Sequence, residues 1–182
     1  MASLVSHAIV GASMGTCLYD SRAPKWVWIA GVACAMLPDV DVIGFDLGVP
    51  YGDFWGHRGV THSVFFAALS AVAVLAISSF WRSKEVHRFR LWLYLFLATT
   101  SHGVLDAMTN GGLGVAFFSP FSNKRYFLPS RPIRVSPIGL APFFTTRGAA
   151  VLQSEILWIW LLAAGLIAAA VTIRRIAPAA KS

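Results

Sequence analysis

Five apolar stretches, near residues 2–19, 26–45, 60–81, 91–109 and 151–173, divide this chain and constrain it more than any other feature. Each approaches the roughly 20 residues that an α-helix needs to cross a hydrocarbon core. A backbone in lipid has no water to bond, so an apolar segment of that length folds there as a helix. Composition agrees: 57% of the residues are hydrophobic and 13% charged, against roughly 45–50% and 25% in soluble domains. The expectation is an all-α, polytopic membrane helix bundle, a single domain over 1–182 with about five transmembrane helices.

The first stretch has no Lys or Arg ahead of its apolar run, which separates it from a secretory leader and predicts an uncleaved helix. Cys17 and Cys34 both fall in apolar stretches and read as small buried side chains rather than a disulfide. The net charge of +7 comes from basic residues in the segments between spans. There the natural partners are anionic phospholipid headgroups, and nucleic acid is not expected.

Counting Lys and Arg on the two faces of a five-span chain sets its orientation. One face carries nine, Arg22, Lys25, Arg82, Lys84, Arg88, Arg90, Arg174, Arg175 and Lys181; the other carries six, Arg58, Lys124, Arg125, Arg131, Arg134 and Arg147. The richer face is expected in the cytoplasm, with the N-terminus outside and a short basic tail, 174–182, inside.

On that topology four of the five histidines and four carboxylates share one level near the outer face: His7, Asp39, Asp41, His57, His62, His102, Asp106 and Glu155. Ionisable groups within a membrane are costly, so their collection at one level points to a bound metal. His102-x-x-x-Asp106 stacks two ligand types one turn apart on a single helical face. Asp106 lies near a helix C-terminus, where the negative end of the macrodipole favours a neighbouring cation. In LPDVDV, Pro38 predicts that the chain leaves its helix as an extended turn, with Asp39 and Asp41 on the same side. His57 and His62 in GHRGVTHS would diverge by roughly 140° on one continuous helix. His57 is therefore expected in the preceding turn, bent toward the site through Gly56 and Gly59.

Arg58 reads either as an anion-binding catalytic group or as an interface anchor. His7 and Glu155 read either as ligands or as helix-packing hydrogen bonds, and His87 as a solvated loop residue. Mixed imidazole and carboxylate ligation suits zinc, manganese or iron, and too few thiols are present for a copper or cluster site. Candidate ligands outnumber those that one catalytic zinc uses, so one or two ions are expected, zinc first and manganese second. Such a centre polarises a phosphoryl or carbonyl oxygen, with Asp39 or Glu155 as general base.

The connection 110–150 holds five of the nine prolines and the aromatic cluster Phe117, Phe118, Phe121, Tyr126 and Phe127, which argues against a continuous helix. It is expected as a long irregular outer connection that folds over the site or dips into the interface. Lys124, Arg125, Arg131 and Arg134 would hold a substrate phosphate, with Phe117, Phe118 and Tyr126 against acyl or isoprenoid chains. The competing reading is anchoring to anionic lipid.

The motifs LPDVDV, GHRGVTHS and SHGVLDAMT, in that order and with the segment FFSPFSNKRYFLPSRPIRVSPIG, resemble the YdjM-like family of membrane-bound, metal-dependent hydrolases, also labelled LexA-binding and inner-membrane-associated. The resemblance covers most of the chain from His7 onward. It implies a bacterial or archaeal inner-membrane hydrolase. More distantly, the chain is similar to the zinc-dependent phospholipase C and P1-type nuclease group, whose metals are held by His, Asp, His and then His-x-x-x-Asp. His7, Asp39 or Asp41, His57 or His62, and His102 with Asp106 repeat that order, but no later His-x-x-x-Glu follows, only Glu155.

The expected function is therefore metal-dependent hydrolysis of a lipid-linked phosphoester at the membrane interface. One alternative is a lipid amide hydrolase of ceramidase-like type, to which Ser63 and Ser101, beside the key histidines, would belong. Another is a non-enzymatic metal-binding or transport protein, disfavoured because the third and fifth spans are apolar toward the cytoplasmic side.

Overall fold

In the computed structural model, residues 1–80 and 86–176 are described. Trp81, Arg82, Lys84, Glu85, Lys181 and the rest of the tail beyond Ile176 lie outside them. Five helical rods carry the chain and no strand forms among the described residues. The first rod is α1, Leu4–Leu18, whose N-terminus is capped by Ser3 Oγ accepting from Ser6 N–H. The second starts with α2, Trp26–Met36, and continues through a 3₁₀ turn, Leu37–Val42, into α3, Ile43–Asp46. Then come α4, Val64–Phe80, capped by Ser63, and α5, Arg88–Ala107, capped by His87. His87 is exposed between rods, as expected of a solvated residue, and stands at the α5 N-cap.

A short helix α6, Leu140–Phe143, precedes the last rod. That rod is α7, Thr146–Glu155, a π turn at Ile156–Trp160, and α8, Leu161–Ile176.

The rods pack α1 on α2 and α5, α4 on α5, and α8 on α1. The core between them is made of Tyr19, Val27, Cys34, Ala35, Ala71, Leu91, Tyr94, Leu95 and Ala98. Tyr94 Oη donates to Gly11 O at 2.8 Å and so ties α5 to α1 inside that core. Cys34 is buried as expected, but Cys17 is exposed, its Sγ 3.9 Å from Leu166 O on the last rod.

Two rods are long and apolar enough to cross a membrane, Trp26–Asp46 with 21 residues and Thr146–Ile176 with 31. Leu4–Leu18 and Val64–Ser79 are apolar but shorter, and α5 opens with Arg88 and Arg90. Five rods stand where five spans were expected, and two of them are both long and apolar enough to cross a membrane.

The turn after α2 departs from expectation. Leu37 keeps a helical backbone, φ −56° and ψ −40°, and the chain tightens into 3₁₀ geometry instead of extending. Pro38 sits in the first turn of that segment, where a missing N–H costs no hydrogen bond.

The 110–150 connection folds back over the ends of the helices. Ala116 N–H donates to Arg58 O, Val64 N–H to Phe117 O and Leu128 N–H to Ala107 O, each at 3.0 Å. Isolated bridges pair Thr109 with Ile133 and Val115 with Tyr126. The segment is thus an ordered cover seated on the mouth of the bundle.

Candidate metal centre

The covered end of the bundle gathers side chains from four elements. His102 and Asp106 come from the last turns of α5, Asp39 and Asp41 from the 3₁₀ turn after α2, His62 from the 3₁₀ turn Val60–His62 ahead of α4, and His7 from α1. Gly103 lets α5 approach the His62 turn, since a Cβ there would meet His62 O at 2.9 Å. One ligand atom each from Asp39, His62, His102 and Asp106 lies within 4.8 Å of the other three, and all four residues are buried.

Hydrogen bonds fix the tautomers of the two imidazoles. His102 Nδ1 is 2.7 Å from Ala35 O, which only accepts, so Nδ1 carries the proton. His62 Nδ1 faces Asp41 Oδ2 at 3.2 Å and Thr61 Oγ1 at 3.0 Å. Thr61 spends its own proton on Asp41 Oδ2, at 2.6 Å, so His62 Nδ1 is again the donor. Both Nε2 lone pairs then face each other at 3.1 Å.

Beside them lie Asp39 Oδ1, 3.3 Å from His102 Nε2 and 3.8 Å from His62 Nε2, and Asp106 Oδ2, 3.6 Å from His62 Nε2. Neither Asp39 oxygen has a hydrogen-bond partner, whereas Asp106 accepts from Ala2 N–H through Oδ1 and pairs with Arg58 Nε through Oδ2. A shared proton would relieve the imidazole pair but leave Asp39 unsatisfied. A divalent cation satisfies all four. Tetrahedral ligands at about 2.0–2.2 Å stand roughly 3.4 Å apart, and the observed separations bracket that edge. The four residues could therefore hold a metal ion.

Supporting groups surround these four. Asp41 is not among the four, but with His57 and His62 it forms a second group that could hold a metal ion, and its Oδ2 faces His62 Nδ1 at 3.2 Å. This follows from the 3₁₀ turn, whose two aspartates point different ways: Asp39 faces the Nε2 atoms and Asp41 faces Nδ1. Asp41 Oδ1 also meets His57 Nδ1 at 2.8 Å. His57 does lie in the preceding turn, as its spacing requires, and burial pushes its imidazole below the ordinary 6.5 against the opposing pull of Asp41. Gly56 and Gly59 permit the bend as expected, since a Cβ on either would run into backbone oxygens of Pro50 or Phe54, and Arg58 carries the positive φ, 64°.

Arg58 is no interface anchor. Its side chain is fully buried, with Nε 2.9 Å from Asp106 Oδ2. Its terminal nitrogens donate to Gly111 O and Thr109 Oγ1, each at 2.9 Å. It neutralises and positions Asp106.

Several expected site residues stand elsewhere. Glu155 accepts from Ser3 N–H and Ser3 Oγ at 2.5 Å and from Ser6 Oγ at 2.9 Å. Its carboxylate is spent clamping the start of α1 to the last rod, which corrects its reading as ligand or general base. Arg125 spends its guanidinium on the carbonyls of His57, Tyr51 and Asp53, pinning the His57 turn rather than facing a substrate. Lys124, Arg131 and Arg134 are exposed on the cover. Ser63 Oγ donates to Val60 O and Ser101 Oγ to Ala98 O, so neither hydroxyl is free for chemistry. Thr61, Thr109, Ser3 and Ser6 are supporting residues that sequence reasoning missed. Only Thr61, beside His62 in its motif, carried any local signal.

Fold and site together define an all-helical protein with a buried His/Asp cluster at one end of its bundle, able to hold a metal ion. A model of the YdjM inner membrane protein family matches residues 1–177. The chain is 38% identical over 161 residues to the inner membrane protein YbcI of Escherichia coli (strain K12), an alignment covering 88% of this chain and 92% of that protein. No solved structure matches it. The chain belongs to the YdjM inner membrane protein family.

Proposed function

We propose that this protein is a membrane-embedded, metal-dependent hydrolase that cleaves a lipid-linked phosphoester at the membrane interface. The observation that carries this reading is the convergence of two imidazoles and two carboxylates, Asp39 without a hydrogen-bond partner, on one buried point. Asp39, His62, His102 and Asp106 hold the metal. When bound it supplies Lewis acidity and a nucleophilic hydroxide near neutral pH.

The chain's own residues do the rest. Asp41 and Ala35 O hold the two rings in the ligating tautomer. Arg58 pairs with Asp106 and holds it in place. Asp39, with its second oxygen free of hydrogen bonds, is the group for proton transfer. The cover presents exposed Phe118 and Phe121 together with exposed Lys124, Arg131 and Arg134, a combination suited to acyl chains below an anionic headgroup. The Lys and Arg distribution supports an N-outside orientation with the site near the outer face.

Purified full-length protein is expected to contain stoichiometric zinc or manganese and to turn over a phospholipid or isoprenoid-phosphate substrate. His102→Ala and Asp106→Ala are expected to abolish both. Metal content without hydrolysis across phosphoester and lipid-amide panels would favour the metal-binding or transport reading; retained metal in both variants would dismiss the site.

A further inference from the structure

The four-residue centre is sealed: His62, His102 and Asp106 are buried, and Asp39, the most exposed of the four, is 7% exposed. A phosphoester reaches such a point only if part of the wall moves. Part of that wall is residues 114–127 of the cover, a flap folded back on itself by the Val115–Tyr126 bridge. Its base is Gly114, at φ 81°, where a Cβ would meet Tyr126 O at 2.8 Å and only glycine fits.

The inner face of the flap is Val115, Ala116 and Phe117. Val115 and Ala116 are buried, and a Cβ on Gly103, next to His102, would meet Phe117 Cε1 at 3.2 Å and Val115 Cγ1 at 3.4 Å. The flap therefore rests directly on the α5 turn that carries a ligand. Its tip presents Phe118 and Phe121, 56% and 82% exposed, with Phe121 against Phe65 at the start of α4.

Few polar ties hold the flap down. Among the described residues two backbone bonds join it to the bundle, Ala116 N–H to Arg58 O and Val64 N–H to Phe117 O. The other tie is Arg125, whose guanidinium donates to His57 O at 2.9 Å and to Tyr51 O and Asp53 O at 3.1 Å. Bonds from a charged donor are the stronger ones, so a single half-buried side chain carries most of the polar closure.

We infer that residues 114–127 are a gate to the centre, latched shut by Arg125, that admits a phosphoester carrying an apolar chain. The identity of what passes rests on the hydrolase reading; the gate itself is a property of the fold. A chain in the lipid interface meets Phe118 and Phe121 first, and displacing that tip lifts residues 115–117 off His62 and Gly103.

The gate is tested with a thiol on its buried face, Ala116→Cys, in full-length protein with Cys17 and Cys34 replaced and held in nanodiscs. Modification by sulfonatoethyl methanethiosulfonate is followed by mass, with Ala98→Cys in the bundle core as the measure of global opening. Ala116→Cys is expected to react faster than Ala98→Cys, and Arg125→Ala to raise the rate at 116 about tenfold or more while leaving that at 98 unchanged. A rate at 116 that stays the same in Arg125→Ala, or rises only in step with that at 98, would overturn the latch. Equal rates at the two positions without the Arg125 substitution would overturn the gate. Entry is read with Phe65→Cys and Phe121→Cys bridged by a reducible bismethanethiosulfonate. Hydrolysis across the phospholipid panel is expected to stop and to return on reduction, with bound zinc retained throughout; equal turnover bridged and reduced would overturn the entrance. If the wild type hydrolyses nothing in the panel, the hydrolase reading falls, and the thiol rates alone decide the gate.

Discussion

Arg58 holds a left-handed backbone conformation at φ 64° and buries its guanidinium completely. Strain of that kind costs about 1–3 kcal/mol and persists where surrounding contacts over-determine the residue. Here they are Asp106, Thr109 and Gly111. Lysine keeps the charge but cannot reach three partners in a planar fork. Arg58→Lys is therefore expected to weaken zinc binding about 10–100-fold, measured by competition with a chelator; unchanged affinity would separate Arg58 from the metal site. His57 sets a pH dependence. Because burial holds its folded pKa below the unfolded value of 6.5, the unfolded chain binds more protons, and stability is lost as pH falls below that value. Metal-free wild type is expected to show a lower Tm at pH 5 than at pH 7. His57→Gln should reduce that difference, and an equal acid loss in the variant would assign it to another group.

Among the elements, the α1 start and the His57 turn are the ones most directly tied to the site. Glu155 binds Ser3 and Ser6, and Trp160 Nε1, placed by the π turn, donates to Ser6 Oγ at 2.8 Å. The last rod thereby sets where α1 presents His7. Glu155→Ala leaves three buried donors unpaired and is expected to destabilise the fold by about 3 kcal/mol or more, without removing the ion bound by Asp39, His62, His102 and Asp106. Loss of that ion in a folded Glu155→Ala protein would return Glu155 to the site. In the His57 turn, a Cβ on Gly59 would run into Phe54 O and lie 2.7 Å from Gly56 O. Gly59→Ala is expected to displace His57 and Arg58 together, lowering both Tm and metal affinity.

At the scale of the molecule, orientation is the property to test. The cover carries the exposed Ser130, and an N-outside protein places it at the outer face. Ser130→Cys, in a chain with Cys17 and Cys34 replaced, is expected to react with a membrane-impermeant maleimide in spheroplasts; reaction only after lysis would reverse the orientation. The apolar periodicity and chemistry-bearing motifs made the all-helical rods and the His/Asp gathering legible beforehand, because those signals are local: a hydrophobic run, an i, i+4 pair, a proline turn. Hydrogen-bond tautomers, the inward turn of Arg58, the removal of Glu155 to a helix clamp and the use of Arg125 as a pin were not legible. Each depends on partners that the fold brings from other elements, such as Asp41 beside His62, Asp106 beside Arg58 and Ser3 beside Glu155. By itself the sequence determined that ionisable groups had to meet at one end of apolar helices, since isolated charges there are too costly to keep. Only the tertiary structure decided which of them face the common point and which are consumed as supports, because a buried donor or acceptor can satisfy one set of partners and packing chooses that set.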